Sequence, residues 1–214
     1  MTETVVRHAA RTAGILASFA LIGTLLLTSV FSVTHEPILK SEEAARMALF
    51  RQIVPDGMHD NDLLKDVLQI PPSDVLGTRE VTQAHRARIG GQPAAVILEA
   101  VAPDGYSGDI KLLIAIRADG SLAGVRVLTH KETPGLGDYI EIARSNWIKN
   151  FDGQSLAKTV SALWKVKKDG GQFEYRAGAT ITPRAVVKAV HKALLYFDQH
   201  RYALFAVNAT EQKS

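Results

Sequence analysis

From Ala13 to Val33 the chain runs for 21 residues without a charged side chain, in a mixture rich in Leu, Ile, Ala, Val and Phe. No other feature restricts the fold so tightly. Backbone N–H and C=O groups cannot be left unpaired in hydrocarbon, so a single stretch of this kind can cross a bilayer only as a helix. At 1.5 Å per residue it reaches about 31 Å, the thickness of the hydrocarbon core. Arg7 and Arg11 precede it and Glu36 follows. The excess of arginine on the N-terminal side predicts residues 1–12 in the cytoplasm, a span over 13–33, and the remainder at the periplasmic face of a bacterial inner membrane. A cleaved secretory signal is the competing reading. The run is long for one, and Phe31-Ser32-Val33-Thr34-His35 is a poor small-x-small site. Both readings carry the main domain across the membrane.

The remaining length suits one domain, assigned to residues 34–205, with a flexible tail over 206–214. The chain of 214 residues has a net charge of +3, with acids and bases interspersed and no basic run interleaved with aromatics, which argues against a nucleic-acid partner. It has no cysteine, so disulfides, thiolate zinc sites and ordinary iron–sulfur clusters are excluded. The seven histidines show no ligand spacing, and no metal site is predicted. No Ser-His-Asp or similar arrangement suggests a catalytic residue.

Along the chain, Glu36-Pro37 reads as a helix break and Ser41 as the N-cap of a new helix with Ala45, Ala48, Leu49 and Ile53 on its apolar face. A second short helix is predicted over 61–68. From Thr78 the texture changes to strand: 79–89, 94–101, 110–117 and 122–128 are rich in Val, Ile and Leu and separated by Gly90-Gly91, Pro103-Asp104-Gly105 and Asp119-Gly120. The pattern predicts an α+β domain, an antiparallel sheet flanked by helices. Tyr139–Lys149 reads as helical, and 160–167 and 172–175 as short strands. Thr182 with Pro183 reads as the cap and first position of a long last helix, whose buried stripe is Val186, Val190, Ala193, Leu194 and Phe197.

Two glycine-bearing segments carry the chemistry. Ala177-Gly178-Ala179-Thr180 leads into the last helix, and a helix N-terminus supplies free N–H groups and positive potential for a phosphate. Thr182 could add a hydroxyl there, and Arg184 or Lys188 a charge. The second segment is His130-Lys131-Glu132-Thr133-Pro134-Gly135-Leu136-Gly137, with Gly105-Tyr106-Ser107-Gly108 upstream. Each also reads as an ordinary turn. Tyr106 either stacks on a ligand or fills the core, His130 is a strand-end polar group or a redox participant, and Trp147 and Trp164 read as core.

Glu174-Tyr175-Arg176-Ala177-Gly178-Ala179-Thr180 resembles the attachment signature of covalent flavoproteins, Asp-x-x-Ser/Thr-Gly-Ala-Thr, with Glu174 and Ala177 as departures. With the two upstream segments in order, residues 10–200 resemble the G subunits of the Rnf (Rsx) ion-translocating electron-transport complexes. The C subunits of the sodium-pumping NADH:quinone oxidoreductases are relatives. The resemblance implies an electron-carrying subunit of a ferredoxin/NAD-linked membrane complex. It implies FMN joined through its phosphate to Thr180, with Gly178, Ala179, Thr182, Glu132, Thr133, Leu136 and Tyr106 as further cofactor-binding residues. Implied partners are the other subunits, a single-span membrane contact and a periplasmic magnesium-dependent flavin transferase. The alternative is a membrane-anchored sensing or assembly module of the same fold without flavin.

Overall fold

The computed structural model describes residues 2–206; the predicted tail, apart from Ala206, lies outside the described residues. The chain divides after Arg46 into two compact units. Helix α1, Thr2–Ile53, forms the first and contributes its last residues, from Met47, to the second.

In the first unit Ile15, Leu16, Phe19, Leu25, Leu26, Val30 and Phe31 are all exposed, apolar on every side of the helix. That is the surface a hydrocarbon solvent requires, and α1 is long and apolar enough to cross a membrane. Several of its hydroxyl side chains are satisfied within the helix: Ser18 donates to the Gly14 carbonyl at 2.9 Å, and Thr24 and Thr28 to those of Ala20 and Thr24 at 2.8 Å. Such back-bonding lets Ser and Thr enter an apolar phase. The predicted break at Glu36-Pro37 does not occur; Pro37 lies inside α1. A proline in a helix interior costs about 3 kcal/mol, of which the exposed Lys40–Glu36 pair at 2.9 Å across one turn returns only about 0.3–0.5 kcal/mol.

The second unit is built on a five-stranded antiparallel meander in the order β1-β2-β3-β4-β5. The strands are β1 Val67–Ile70, β2 Thr82–Ile89, β3 Gln92–Gly105, β4 Gly108–Arg117 and β5 Leu122–Thr129. Helix α2, Ile181–Phe205, covers one face. Its Val186, Val190, Ala193, Leu194 and Phe197 belong to one cluster with Val96, Leu98, Leu112, Ile114 and Ile116 of the sheet. Phe50, Ile53, Val54 and Leu63 cover part of the other face, against Ala87, Ala95, Ile97, Leu113 and Ala115. Burial on both faces explains why β3 and β4 read as continuous apolar runs rather than as alternation.

Both helices end on arginines of the sheet. Arg126 donates to the side chain and carbonyl of Gln52 at 3.0 Å each, near the end of α1. Arg86 and Arg88 donate to the Ala206 and Phe205 carbonyls at the end of α2, at 2.5 and 3.2 Å. These are the carbonyls a helix leaves unpaired. Arg86 and Arg88 also hold Asp66, which seats residues 67–70 on β2. The predicted helix over 61–68 therefore gives way to turns and β1, because a tertiary ion cluster overrides a weak local preference.

Between β5 and α2 the chain is irregular. The predicted helix over 139–149 is two 3-10 turns, Asp138–Ile140 and Asn146–Phe151. The two short strands predicted nearby reduce to one parallel bridge, Val166 to Phe173. α2 starts at Ile181 with Thr180 in the cap position, so Thr182 and Pro183 lie inside its first turn. A missing N–H is harmless there, since the first four N–H groups of a helix have no internal acceptor.

Candidate functional site

Two tight turns face one another beside the N-terminus of α2. In Thr133-Pro134-Gly135-Leu136 the Leu136 N–H reaches the Thr133 carbonyl at 3.1 Å and Gly135 has φ +77°. In Arg176-Ala177-Gly178-Ala179 the Ala179 N–H reaches the Arg176 carbonyl at 3.1 Å and Gly178 has φ +85°. Both have type II character, which requires positive φ at the third residue and hence glycine. The turns meet closely: a Cβ on Gly178 would stand 3.7 Å from Leu136 Cδ1.

Between them and the β3–β4 hairpin tip lies a pocket of about 350 Å³, lined by Tyr106, Glu132, Thr133, Leu136, Gly137, Gly178, Ala179, Thr180, Ile181 and Thr182. All eight residues singled out in the sequence line it. Tyr106, Leu136 and Ile181 are exposed and give it an apolar rim. The volume falls in the range of small-ligand sites.

The two threonines differ. Thr182 is 1 % exposed, and its hydroxyl donates to Glu132 Oε2 at 2.5 Å. Thr180 is half-buried at the lip of the pocket, and its side chain makes no capping bond. The Thr180 hydroxyl thus stands at the positive end of α2 with no capping duty there. The charges expected to help are engaged elsewhere: Arg184 makes a two-pronged pair with Asp169 at 2.5 and 2.6 Å, and Lys188 pairs with Asp104 at 2.5 Å. Hydrogen bonding to these cations holds both carboxyls below the usual aspartate range. Positive potential at the pocket therefore comes chiefly from the first N–H groups of α2.

Glu132 lines the pocket, but its carboxylate turns toward protein: Oε1 accepts the Ser107 N–H at 3.1 Å and Oε2 the Thr182 hydroxyl. His130 Nδ1 accepts the Glu132 N–H at 3.0 Å, and Nε2 lies 2.7 Å from Glu141 Oε1. His130 is thereby a brace for the loop.

Sequence reasoning missed what holds the Glu174–Thr180 segment. The Trp147 indole N–H donates to the Glu174 carbonyl at 2.7 Å. The Tyr139 hydroxyl accepts the Arg176 N–H at 3.3 Å, and the Arg176 guanidinium lies 4.6 Å from the Tyr139 ring centre. Burial pushes the Tyr139 phenol above its ordinary value, opposed by Arg176. Trp147 and Trp164 are core, in agreement with the sequence, but each also donates through its indole nitrogen to an irregular segment. An aromatic side chain with a polar tip in a polar stretch was the available signal.

Residues 105–195 match the FMN-binding domain family, and residues 1–53 match the RnfG N-terminal region. The chain is 49 % identical over 200 residues to the G subunit of an ion-translocating oxidoreductase complex of Pseudomonas aeruginosa, covering 94 % of each chain. Proteins of the same description from Shewanella loihica and Vibrio cholerae are 46 % and 45 % identical. They cover 92 % and 89 % of this chain, and 93 % and 90 % of their own.

Proposed function

The chain belongs to the family of G subunits of ion-translocating oxidoreductase complexes, and from that premise we propose that it carries electrons within such a complex through FMN tied by its phosphate to Thr180. The observation that carries this reading is the contrast between the two threonines: Thr180 is open at a helix N-terminus, while Thr182 is buried on Glu132. The residues fit the group. The N–H groups of α2 suit a phosphate, the rim of Tyr106, Leu136 and Ile181 suits a flat apolar ring, and Gly178 allows the chain to turn beside it. Bound there, FMN supplies the redox group that a chain without cysteine lacks.

Attachment is redox-neutral. The Thr180 oxygen forms a bond to the FMN phosphorus of FAD, the pyrophosphate bond breaks, AMP leaves, and the hydroxyl proton is lost to a base. Among the described residues the pocket offers Thr180 no hydrogen-bonded base, and an unassisted hydroxyl is a weak nucleophile. An external catalyst would supply that base, and the family resemblance implies a magnesium-dependent flavin transferase as this partner. The other subunits supply donors and acceptors for ferredoxin/NAD-linked electron transfer coupled to ion movement. Arg7 and Arg11 support an orientation with residues 1–12 cytoplasmic, a single span over 13–33, and residues 34–205 in the periplasm.

The test is to express the chain with an active flavin transferase, denature it, and locate flavin by peptide mass. An FMN-sized addition on the Thr180 peptide, absent from Thr180→Ala, is the expected result. Flavin retained covalently in Thr180→Ala sinks the assignment. No adduct on wild type, with the transferase active on a control, favours the flavin-free assembly module.

A further inference from the structure

Glu132 is 4 % exposed and joins parts of the chain far apart in sequence. Its two oxygens hold the Ser107 N–H, 25 residues away at the tip of the β3–β4 hairpin, and the Thr182 hydroxyl, 50 residues away in the first turn of α2. The surroundings leave room for it. A Cβ on Gly137 would stand 2.9 Å from Glu132 Oε2 and 3.1 Å from Thr182 Oγ1, and one on Gly105 would stand 2.9 Å from Glu132 Oε1. Gly137 has an ordinary helical φ of −92°, so close approach, not backbone freedom, is what requires a glycine there. Burying a carboxylate is expensive even when it is hydrogen-bonded, and an apolar residue often serves stability as well. What an apolar residue cannot do is fix the hairpin tip and the helix start relative to each other through directed bonds.

We propose that Glu132 is the positioning residue of the pocket. Acting through Ser107 and Thr182, it sets the distance between the wall bearing Tyr106 and the helix start bearing Thr180. The role rests on the reading of Thr180 as flavin acceptor. By holding the first turn of α2, Glu132 presents the Thr180 oxygen in a fixed attitude to the phosphorus it attacks.

The experiment measures initial rates of FMN addition to the full-length chain by a flavin transferase with FAD and magnesium, at varied chain concentration. Folding of each variant is checked by far-ultraviolet circular dichroism. In Glu132→Ala the saturating rate should fall about tenfold or more, as expected for a misplaced reacting group. The half-saturating concentration should move little, because the exposed 174–178 segment is intact. Glu132→Gln should recover most of the rate: its carbonyl oxygen can accept from Ser107 and its amide can donate to the Thr182 oxygen. Thr182→Val removes one tie only and should give an intermediate rate. It also decides the matter if Glu132→Ala does not fold. The induced visible circular dichroism of the loaded flavin should survive in the Gln variant and weaken in the Ala and Val variants. Wild-type rates in both Glu132→Ala and Thr182→Val overturn the proposal. So does a folded Glu132→Gln as slow as Glu132→Ala, since charge and not position would then be what Glu132 supplies. If wild type itself takes no flavin while a control substrate does, the Thr180 reading fails and the positioning role falls with it.

Discussion

The meander over residues 82–129 and the irregular stretch over 130–180 are held together by different means. In the meander, β3 and β4 pair along nearly their whole lengths, and the backbone ladder is redundant: losing one side chain leaves most bonds in place. In the irregular stretch the backbone bonds are mostly local turns, and single side chains tie its separate segments together. Trp147 and Trp164 donate to the Glu174 and Thr159 carbonyls, Ser145 to the Tyr139 carbonyl at 2.7 Å, and Gln172 to the Thr159 hydroxyl at 2.9 Å. Every pocket residue except Tyr106 comes from the second region or from the helix start that follows it. The sheet gives stability, and the pocket's geometry is suspended from it by individual bonds.

This contrast should separate stability from flavin loading. Ile114 in β4 is fully buried under α2. Its replacement by Ala should cost about 2–5 kcal/mol, read as a lowered denaturation midpoint, while folded molecules still take flavin on Thr180. Gly178→Ala should behave in the opposite way. A Cβ at φ +85° costs about 1–2 kcal/mol locally, and adduct yield should fall more than the midpoint does. Trp147→Phe keeps a ring but removes the donor to the Glu174 carbonyl. Loss of this part-buried bond should cost about 0.5–1.5 kcal/mol, and amide exchange should rise first in 174–180. Equal effects of the sheet and turn variants on loading would erase the distinction.

The same contrast governs what the sequence could reveal. The apolar span, four of the five strands, the stripe of α2 and the pocket-lining residues were legible because each rests on a local signal: hydropathy, glycine-bounded runs, 3.6-residue period, glycine-rich motifs. β1 was not, because it depends on Asp66 meeting Arg86 and Arg88. Nor was the start of α2. Thr182 has the residue type of a cap, but its hydroxyl is taken by Glu132, 50 residues away. The continuation of α1 through Pro37 likewise outweighed a strong local breaker. Glu132 was legible as a pocket residue and illegible as a tie, since nothing local says which way a carboxylate points.

The smallest expected effect lies where the two regions meet. His191 in α2 stacks on Trp164 of the irregular stretch, with ring centres 5.2 Å apart and planes within 2°. Its Nε2 is buried without a hydrogen-bond partner among the described residues, and burial lowers its pKa below the ordinary 6.5. The folded state therefore favours the neutral ring, while the unfolded chain takes a proton near 6.5. Below that pH the unfolded state binds more protons, so stability contributed by His191 is present above it and is lost as pH falls toward the folded pKa. One proton limits the slope to about 1.4 kcal/mol per pH unit. Midpoints measured between about pH 8 and 5, across the usual histidine range, should fall on the acid side in wild type. His191→Phe keeps a ring against Trp164 and should flatten that fall. Because Trp164 is the stacking partner, its fluorescence should report the change before the global transition does. An acid limb unchanged in His191→Phe would assign it to other groups and leave the contact between α2 and the irregular stretch insensitive to pH.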